Sequence, residues 1–259
     1  MPLLNVESLQ LSIADTQVCQ SLSFEVEAGQ RWAMLGRNGI GKSTLLHTIA
    51  GLRNNSKLHS HGSIELAGEN IERLKTQHIA QQVGILFQQQ EDAFNNTVLE
   101  TALIGRHPYL HPWQWESEED QKKARQALEQ MSLAEMAQRT TNTLSGGERQ
   151  RLALATLLTQ TPKLILLDEP TNHLDIHHQI RVLDLLSEWA LKEERALIMT
   201  LHDVNLALRY CDHAVLLFGK GETIAGSAKD VLTRENLERL YMHPLNKLDG
   251  EWGQAYLPR

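Results

Sequence analysis

Two hydrophobic patterns run along the chain and predict two kinds of strand. In the first, apolar and polar residues alternate, with the apolar set at Leu9, Leu11, Ile13, Leu22, Phe24, Val26, Ile64 and Leu66. A period of two is typical of half-exposed antiparallel strands. In the second, nearly every residue is apolar, over residues 32–35, 83–87, 164–167, 196–201 and 214–218. Such strands are buried on both faces, as in a parallel sheet covered by helices, so the predicted fold class is α/β.

The long stretch between the second and third of these apolar runs has the character of helices rather than strands. Ser117, followed by three acidic residues, is the start expected of a capped helix. The predicted divisions of a single domain over 1–259 are a core of residues 1–89 and 161–240, a helical insertion at about 90–160 and a C-terminal tail at 241–259. The two prolines and two glycines of that tail indicate loose packing.

Composition narrows the classes of protein. The 259 residues are 41% hydrophobic, which is enough for a well-buried core without disulfides. Cys19 and Cys211 lie far apart and in no metal-ligand spacing, as fits a reducing compartment. The formal net charge of -7 argues against a surface built for nucleic acid, although it leaves room for a local basic patch. With no apolar run long enough to span a membrane and no signal-peptide pattern at the N-terminus, we expect a cytosolic protein.

A glycine-rich stretch lies between an apolar run and a helix-like segment. It consists of Gly36, Arg37, Asn38, Gly39, Ile40, Gly41, Lys42, Ser43 and Thr44. Glycines at this spacing allow backbone N–H groups to surround a polyphosphate, and the following helix presents its positive end to the anion. Lys42 is then expected to reach the β- and γ-phosphates, and Ser43 to bind Mg²⁺. A plain glycine turn before a capped helix is the alternative, but the strand before it and the Lys-Ser pair in register favour a nucleotide site.

Two carboxylates follow the apolar run at 164–167. Asp168 and Glu169 are thereby predicted at the carboxyl edge of a buried strand, where ligands bind in open α/β sheets. Asp168 is suited to hold the Mg²⁺ shell through water, and Glu169 to accept a proton from an attacking water. Alone, such a pair is more often the start of a solvated loop; the phosphate loop makes it an expected catalytic partner.

The stretch Leu-Ser-Gly-Gly-Glu at 144–148 predicts a helix N-terminus. Ser145 with Glu148 three residues later is a capping box. Gly146 and Gly147 are not explained by the cap, because each glycine in a first helical turn costs about 1 kcal/mol relative to alanine. They indicate a close approach to the backbone, and an anion at the helix N-terminus is the natural candidate.

These three motifs, in this order and at these separations, resemble the ATP-binding subunit of an ABC transporter. The resemblance covers essentially the whole chain. It implies a P-loop NTPase core with a mainly parallel sheet, an N-terminal antiparallel β subdomain and an inserted α-helical subdomain. It further implies ATP and Mg²⁺ as cofactors and a head-to-tail dimer of two copies. In such a dimer Ser145, Gly146 and Gly147 close over the γ-phosphate held by the loop of the other copy.

Other positions match the family one by one. Gln88 corresponds to a glutamine that binds Mg²⁺ and water and senses the membrane partner. Asp175 corresponds to a residue that communicates across the dimer, and His202 to the switch histidine that contacts the γ-phosphate. The family usually stacks an aromatic residue on adenine about two dozen positions before the phosphate loop. Here that position is Ile13, so ring stacking on the base is not expected.

The stretch after Gln88 carries the signal for the kind of transporter. Residues 97–100 and 104–109 are similar to the ATPases of importers for metal chelates, namely ferric siderophores, haem or cobalamin. The resemblance implies integral membrane permease subunits docking between Gln88 and Tyr109, a periplasmic or extracellular substrate-binding protein, and a peripheral position on the cytoplasmic face of the cell membrane. An exporter subunit stays open as an alternative. A DNA-repair ATPase would need a long coiled coil, and a translation factor would need two cassettes, so no nucleic-acid partner is expected.

Overall fold

A computed structural model describes residues 1–52, 58–87, 95–192, 194–250 and 253–259. The strands are β1 (Leu4–Ile13), β2 (Thr16–Val26), β3 (Arg31–Gly36), β4 (Leu58–Leu66), β5 (Glu69–Asn70), β6 (Val83–Leu86), β7 (Leu164–Leu167), β8 (Ala196–Thr200), β9 (His213–Gly219), β10 (Glu222–Ser227), β11 (Leu245–Gly250) and β12 (Gly253–Pro258). The α-helices are α1 (Lys42–Ile49), α2 (Thr76–Gln82), α3 (Val98–Leu103), α4 (Glu118–Gln130), α5 (Gly146–Gln160), α6 (Ile176–Ala190), α7 (Val204–Tyr210), α8 (Ala228–Val231) and α9 (Arg234–Tyr241). Short 3-10 helices cover Ile71–Arg73, Ile104–Tyr109, Ala134–Met136 and Thr141–Thr143.

The alternating segments form an antiparallel sheet in the order β2-β1-β4-β5, as predicted. Its inward side chains, including Leu4, Leu9 and Leu11, are fully buried. A two-residue turn joins β1 to β2, so that Ile13 pairs with Thr16. This turn places Ile13 and Thr16 at one tip of the sheet.

The five continuous apolar runs form five strands of a six-stranded sheet, in the order β10-β9-β3-β8-β7-β6. Strands β9, β3, β8, β7 and β6 are parallel, while β10 is antiparallel to β9. Every residue of β7 and β8 is buried, which explains why their sequences lack alternation. The fold is therefore α/β with a mainly parallel sheet and an antiparallel subdomain, as predicted. Because the parallel strands share one carboxyl edge, residues that follow β3, β7 and β8 meet there.

Between β6 and β7 the described residues are mostly helical. The predicted capping serine of α4 is present and forms a capping box: Ser117 accepts a hydrogen bond from the Asp120 backbone N–H, and the Asp120 carboxylate accepts one from Ser117. A buried ion pair fixes this region, with Arg106 Nε 2.7 Å from Asp120 Oδ1. Arg106 also donates to the carbonyls of Thr159 and Gln160 at 3.2 and 3.3 Å, and so ties the segment Ile104–Tyr109 to the C-terminal end of α5. Within the described part of the chain, no helix is both long enough and apolar enough to cross a bilayer.

The C-terminal residues differ from the loosely packed tail expected from their prolines and glycines. They form an antiparallel hairpin of β11 and β12. The Tyr256 side chain is buried, and its backbone N–H donates to Asn205 Oδ1 at 2.8 Å while Asn205 Nδ2 donates to its carbonyl at 3.2 Å. Pro244 precedes the hairpin and Pro258 ends it, where a missing N–H does not interrupt the ladder. The hairpin is therefore docked on α7, which begins two residues after His202.

Candidate nucleotide-binding and catalytic site

The glycine-rich stretch is a loop between β3 and α1, in the predicted context of strand, turn and helix. Gly41 precedes α1 with a φ of 105°, in the left-handed region that favours glycine. A Cβ on Gly41 would lie 2.6 Å from Val18 Cγ2 on β2. The backbone at this position therefore requires glycine, and the loop is held close against the antiparallel sheet.

Lys42 is buried at the first position of α1. Its ammonium group donates to the carbonyl of Gly36 at 2.9 Å and to that of Arg37 at 3.3 Å. Burial lowers the pKa of Lys42, and the nearby carboxylates of Glu169 and Asp168 partly offset that effect by favouring its charged form. The side chain thus curls back over the loop, where an anion bound by the loop would meet its charge.

Asp168 and Glu169 follow β7 at the carboxyl edge of the sheet, as predicted, and both are buried. Thr200, the last residue of β8, connects them. Its hydroxyl donates to Asp168 Oδ1 at 2.8 Å and accepts from the Glu169 backbone N–H at 2.8 Å. Thr200 is not among the residues predicted from the sequence, although it is the one polar residue in the apolar run at 196–201.

His202 and Asn172, both among the described residues, hold the Glu169 carboxylate. His202 Nε2 lies 2.6 Å from Glu169 Oε1, and Asn172 Nδ2 donates to Glu169 Oε2. His202 is exposed, so its ring can turn without disturbing the core. Asn172 was also not predicted from the sequence. Its position three residues after Glu169 is the sequence feature from which the contact could have been expected. A carboxylate held on both oxygens has a defined orientation, as a proton acceptor requires.

A cavity of about 470 Å³ brings the predicted groups together, a size typical of small-molecule sites. It is lined by Ile13, Thr16, Asn38, Gly39, Gly41, Lys42, Ser43, Thr44, Glu169 and His202. The predicted residues that do not line it are Gly36, Arg37, Ile40, Ser145, Gly146, Gly147, Asp168 and Asp175. Gln88, predicted to bind Mg²⁺, lies outside the described residues. One face of a nucleotide site is therefore assembled from the phosphate loop, the ends of β7 and β8, and the turn between β1 and β2.

The Asp168 carboxylate fits the predicted divalent cation. Its Oδ2 atom is buried and has no hydrogen-bond partner among the described residues, whereas Oδ1 accepts from Thr200. A buried, unpaired carboxylate oxygen is costly unless a cation or its water shell satisfies it. Ser43 lines the cavity that Lys42 and Glu169 also line, and hydroxyl and carboxylate oxygens are the ligands that Mg²⁺ prefers.

Helix α5 begins with the predicted capping box at Ser145, but the group that lies close to its second glycine is a carbonyl of this chain. Ser145 accepts from the Glu148 backbone N–H at 3.3 Å, and its own N–H donates to Glu148 Oε2 at 2.7 Å. A Cβ on Gly147 would lie 3.2 Å from the carbonyl oxygen of His173 in the same chain. Close packing within the chain therefore explains Gly147, while Ser145 and Gly146 stay exposed. Asp175 caps α6 by accepting from the His178 backbone N–H at 2.8 Å.

This arrangement is that of a P-loop nucleoside triphosphatase, in which backbone amides and a lysine hold the phosphates and a carboxylate orients the attacking water. The model of the ABC transporter family matches residues 19–172. The chain therefore belongs to the ABC transporter family, and it is the ATP-binding ATPase domain of that family.

The chain is similar over nearly its whole length to ATP-binding proteins of transport systems. It is 40% identical to the "Petrobactin import ATP-binding protein FpuD" of Bacillus anthracis, over 88% of this chain and 82% of the relative. It is 38% identical to the "Probable siderophore transport system ATP-binding protein YusV" of Bacillus subtilis, over 93% and 86%. Among solved structures, "An inward-facing conformation of a putative metal-chelate type ABC transporter" is similar with a TM-score of 0.84 and 29% identity, over 100% of this chain and 98% of that one.

Proposed function

We propose that this chain hydrolyses MgATP to energise an ABC importer for an iron-siderophore or a related metal chelate. The observation that carries the proposal is the single cavity shared by the phosphate loop, Lys42 and the Glu169–His202 pair. Phosphoryl transfer depends mainly on positioning and charge neutralisation, and these are the groups that it needs. The cargo class is taken from the relatives, whose names refer to siderophore and petrobactin transport.

The residues of the cavity divide the chemistry among them. The loop amides and the Lys42 ammonium hold the β- and γ-phosphates. Ser43, Asp168 and the predicted ligand Gln88 would hold Mg²⁺, which would supply neutralisation of the phosphate charge. Glu169 takes a proton from the attacking water. Its Oε1 atom is engaged by His202 in this structure, so the ring must turn toward the γ-phosphate to leave that oxygen for water.

A second copy of the chain completes the site. Ser145 and Gly146 are exposed and are not among the lining residues of the cavity, so they are available to a nucleotide held by another copy. The helix of 15 residues that follows presents its positive N-terminal end at that point. We assign Asp175, near the same surface, to communication between the two copies.

The membrane partner docks on the insertion at about 90–160. Its permease subunits bind between Gln88 and Tyr109, and a periplasmic or extracellular binding protein delivers the cargo to them. The exposed side chains of Ile104, Trp113 and Trp115 on this part of the molecule support an interface there. The chain would then lie peripherally on the cytoplasmic face of the membrane.

Two substitutions test the ATPase assignment. Lys42→Ala is expected to abolish phosphate release, and Glu169→Gln to retain MgATP binding while trapping a dimer. Both are measured on the purified chain, by a phosphate-release assay and by light scattering after size exclusion. Glu25→Gln, an exposed change on β2, is the matched control, and its phosphate release and oligomeric state should be those of the wild type.

Full ATPase activity in Glu169→Gln would contradict the role of this carboxylate. A Glu169→Gln protein that stays monomeric under saturating MgATP would contradict the proposal that two copies share each nucleotide site. The cargo is tested separately by uptake of iron-55 siderophores in the native host after deletion of the gene. Uptake restored by the wild-type chain but not by Glu169→Gln is expected, whereas undiminished uptake after deletion would exclude this cargo.

A further inference from the structure

His202 lies on a short connection with no regular structure of its own. The connection runs from Thr200, where β8 ends, to Val204, where α7 begins. The His202 side chain is exposed, and its Nε2 lies 2.6 Å from Glu169 Oε1. A functional side chain on a loop is placed precisely only where other contacts fix its backbone. The contacts of residues 202–205 therefore decide where this ring can reach.

The C-terminal element, meaning α9 and the β11–β12 hairpin, contacts this connection at two points. The Tyr256 backbone N–H donates to Asn205 Oδ1 at 2.8 Å, and Asn205 Nδ2 donates to the Tyr256 carbonyl at 3.2 Å. Asn205 lies in the first turn of α7, three residues after His202. The Tyr241 hydroxyl of α9 donates to the carbonyl of His202 itself at 3.4 Å. One element thus holds both ends of residues 202–205.

The end of α9 lies beside the nucleotide site. Burial and the nearby Asp203 carboxylate raise the pKa of Tyr241 to about 12, so its hydroxyl stays protonated and can donate at neutral pH. The next residue, Met242, accepts a hydrogen bond through its sulfur from Arg37 Nη1 at 2.8 Å. Two consecutive residues therefore contact the phosphate loop and the backbone of His202.

The C-terminal element is itself fixed to the rest of the fold. The side chains of Leu245 and Tyr256 are buried. The Leu245 backbone N–H donates to Glu238 Oε1 of α9 at 2.8 Å, and the Tyr256 hydroxyl donates to the carbonyl of Leu232 at 3.3 Å. Because these contacts join the hairpin to α9 and to the segment after α8, the element is a firm support for the residues that it contacts.

We propose that Asn205 and Tyr241 are positioning residues for ATP hydrolysis, through which the C-terminal element holds His202 where its ring meets the γ-phosphate. Neither side chain lines the cavity, so each acts through the backbone of His202 and not on the nucleotide. A displacement of about 1 Å in a catalytic group can cost about 100-fold in rate. The inference rests on the proposed function, in which His202 contacts the γ-phosphate.

The test compares the affinities of MgAMP-PNP, which has a γ-phosphate, and MgADP, which lacks one, by titration calorimetry on the purified chain. Asn205→Ala removes both hydrogen bonds to the hairpin. It should weaken MgAMP-PNP about fivefold or more, because a displaced His202 loses its contact with the γ-phosphate. MgADP should bind within about twofold of the wild type, because the phosphate loop is unchanged. Tyr241→Phe, which keeps the ring, should weaken MgAMP-PNP alone by about two- to fivefold.

A second comparison shows whether the effect passes through His202. His202→Ala removes the histidine contact, so it should weaken MgAMP-PNP and not MgADP. Adding Asn205→Ala to that variant should then weaken MgAMP-PNP by less than about twofold more. A purely structural role of Asn205 would instead give the same loss in both backgrounds, and this result would contradict the proposal.

Tyr210→Phe is the matched control, since it removes a hydroxyl that donates to Asp184 Oδ1 at 3.0 Å from the far end of α7. Both of its dissociation constants should be those of the wild type. Equal losses of MgADP and MgAMP-PNP affinity in Asn205→Ala would overturn the proposal and leave the ATPase assignment intact. So would wild-type binding of MgAMP-PNP by Asn205→Ala or by His202→Ala. If neither nucleotide binds the wild-type chain, the proposed function is contradicted as well.

Discussion

Thr200 offers the sharpest test of how the catalytic carboxylates are held. The side chain is fully buried, and its hydroxyl joins the Asp168 carboxylate to the backbone N–H of Glu169. Thr200→Val keeps the branched shape and removes the hydroxyl. Two buried polar groups then lose a partner, at about 1–3 kcal/mol each. We expect the free energy of unfolding to fall by about 3 kcal/mol, which is about 6–12 °C in Tm for a chain of this size.

The matched control is Thr200→Ser, which keeps the hydroxyl and removes one methyl group. Its expected cost is about 1 kcal/mol. Urea denaturation of the two variants, followed by circular dichroism, should find Thr200→Val less stable than Thr200→Ser by about 2 kcal/mol, because losing the hydroxyl costs about 3 kcal/mol and losing the methyl group only about 1 kcal/mol. The same pair separates catalysis from binding: Thr200→Val should lower kcat roughly 10- to 100-fold through misplaced carboxylates. The dissociation constant of ATP should change less than about twofold, because the phosphate loop is untouched.

Equal stability of Thr200→Val and Thr200→Ser, within about 0.5 kcal/mol, would refute the claim that the hydroxyl satisfies two buried groups. Equal kcat values for Thr200→Val and Thr200→Ser would refute the claim that the Thr200 hydroxyl positions the carboxylates. The two readouts are independent, so a stability loss without a kcat loss would assign Thr200 to the fold alone.

Two further predictions concern the buried ion pair and the loop. Burial alone would raise the pKa of Asp120, but hydrogen bonds from Ser117 and the Arg106 guanidinium lower it from 3.8 to about 2. The ionised Asp120 carboxylate therefore stabilises the folded state above pH 3.8, and this contribution is lost as the pH falls through about 2. Urea titrations at stepped pH should therefore show a loss of stability over that window in the wild type and less of it in Asp120→Asn. Gly41→Ala should weaken ATP binding at least tenfold in calorimetry. The left-handed φ of residue 41 and a clash of the added Cβ with Val18 on β2 both oppose an alanine there and would distort the loop. Gly29→Ala, with a φ of 86° and no atom within 4 Å of the added Cβ, is the control for the backbone effect alone and should bind ATP normally.

Local patterns were sufficient for the five buried strands of the main sheet and for the phosphate loop. A continuous apolar run is a local signal of a strand buried on both faces, so each of the five runs could be assigned. The spacing of Gly41, Lys42 and Ser43 is likewise a local signal, because a phosphate loop holds its anion mainly through its own backbone. Capping boxes at Ser117 and Ser145 follow from residues three positions apart.

The contacts that complete the site could not be obtained in this way. Thr200 reaches Asp168 across two adjacent strands, 32 positions apart in sequence, and the order of those strands is a tertiary property. The terminal hairpin was missed because few of its side chains are buried, mainly Leu245 and Tyr256, which leaves its alternation hidden among polar residues. For Gly147 the sequence predicted a close approach to the backbone, but it could not identify the neighbouring group, which in this chain is the His173 carbonyl.

One helix belongs to both interfaces that the proposed transporter needs. Helix α5 begins at Gly146, which we assign to the nucleotide of the second copy, and its last carbonyls accept hydrogen bonds from Arg106. Its 15 residues span about 22 Å at 1.5 Å per residue. Arg106 lies in the segment Ile104–Tyr109, where we place the permease, and its ion pair with Asp120 is buried. A shift of that segment would therefore be transmitted along a rigid helix to the far half of the shared site, rather than to the phosphate loop. In this arrangement the membrane partner would control when the dimer closes, while the nucleotide stays held by Lys42.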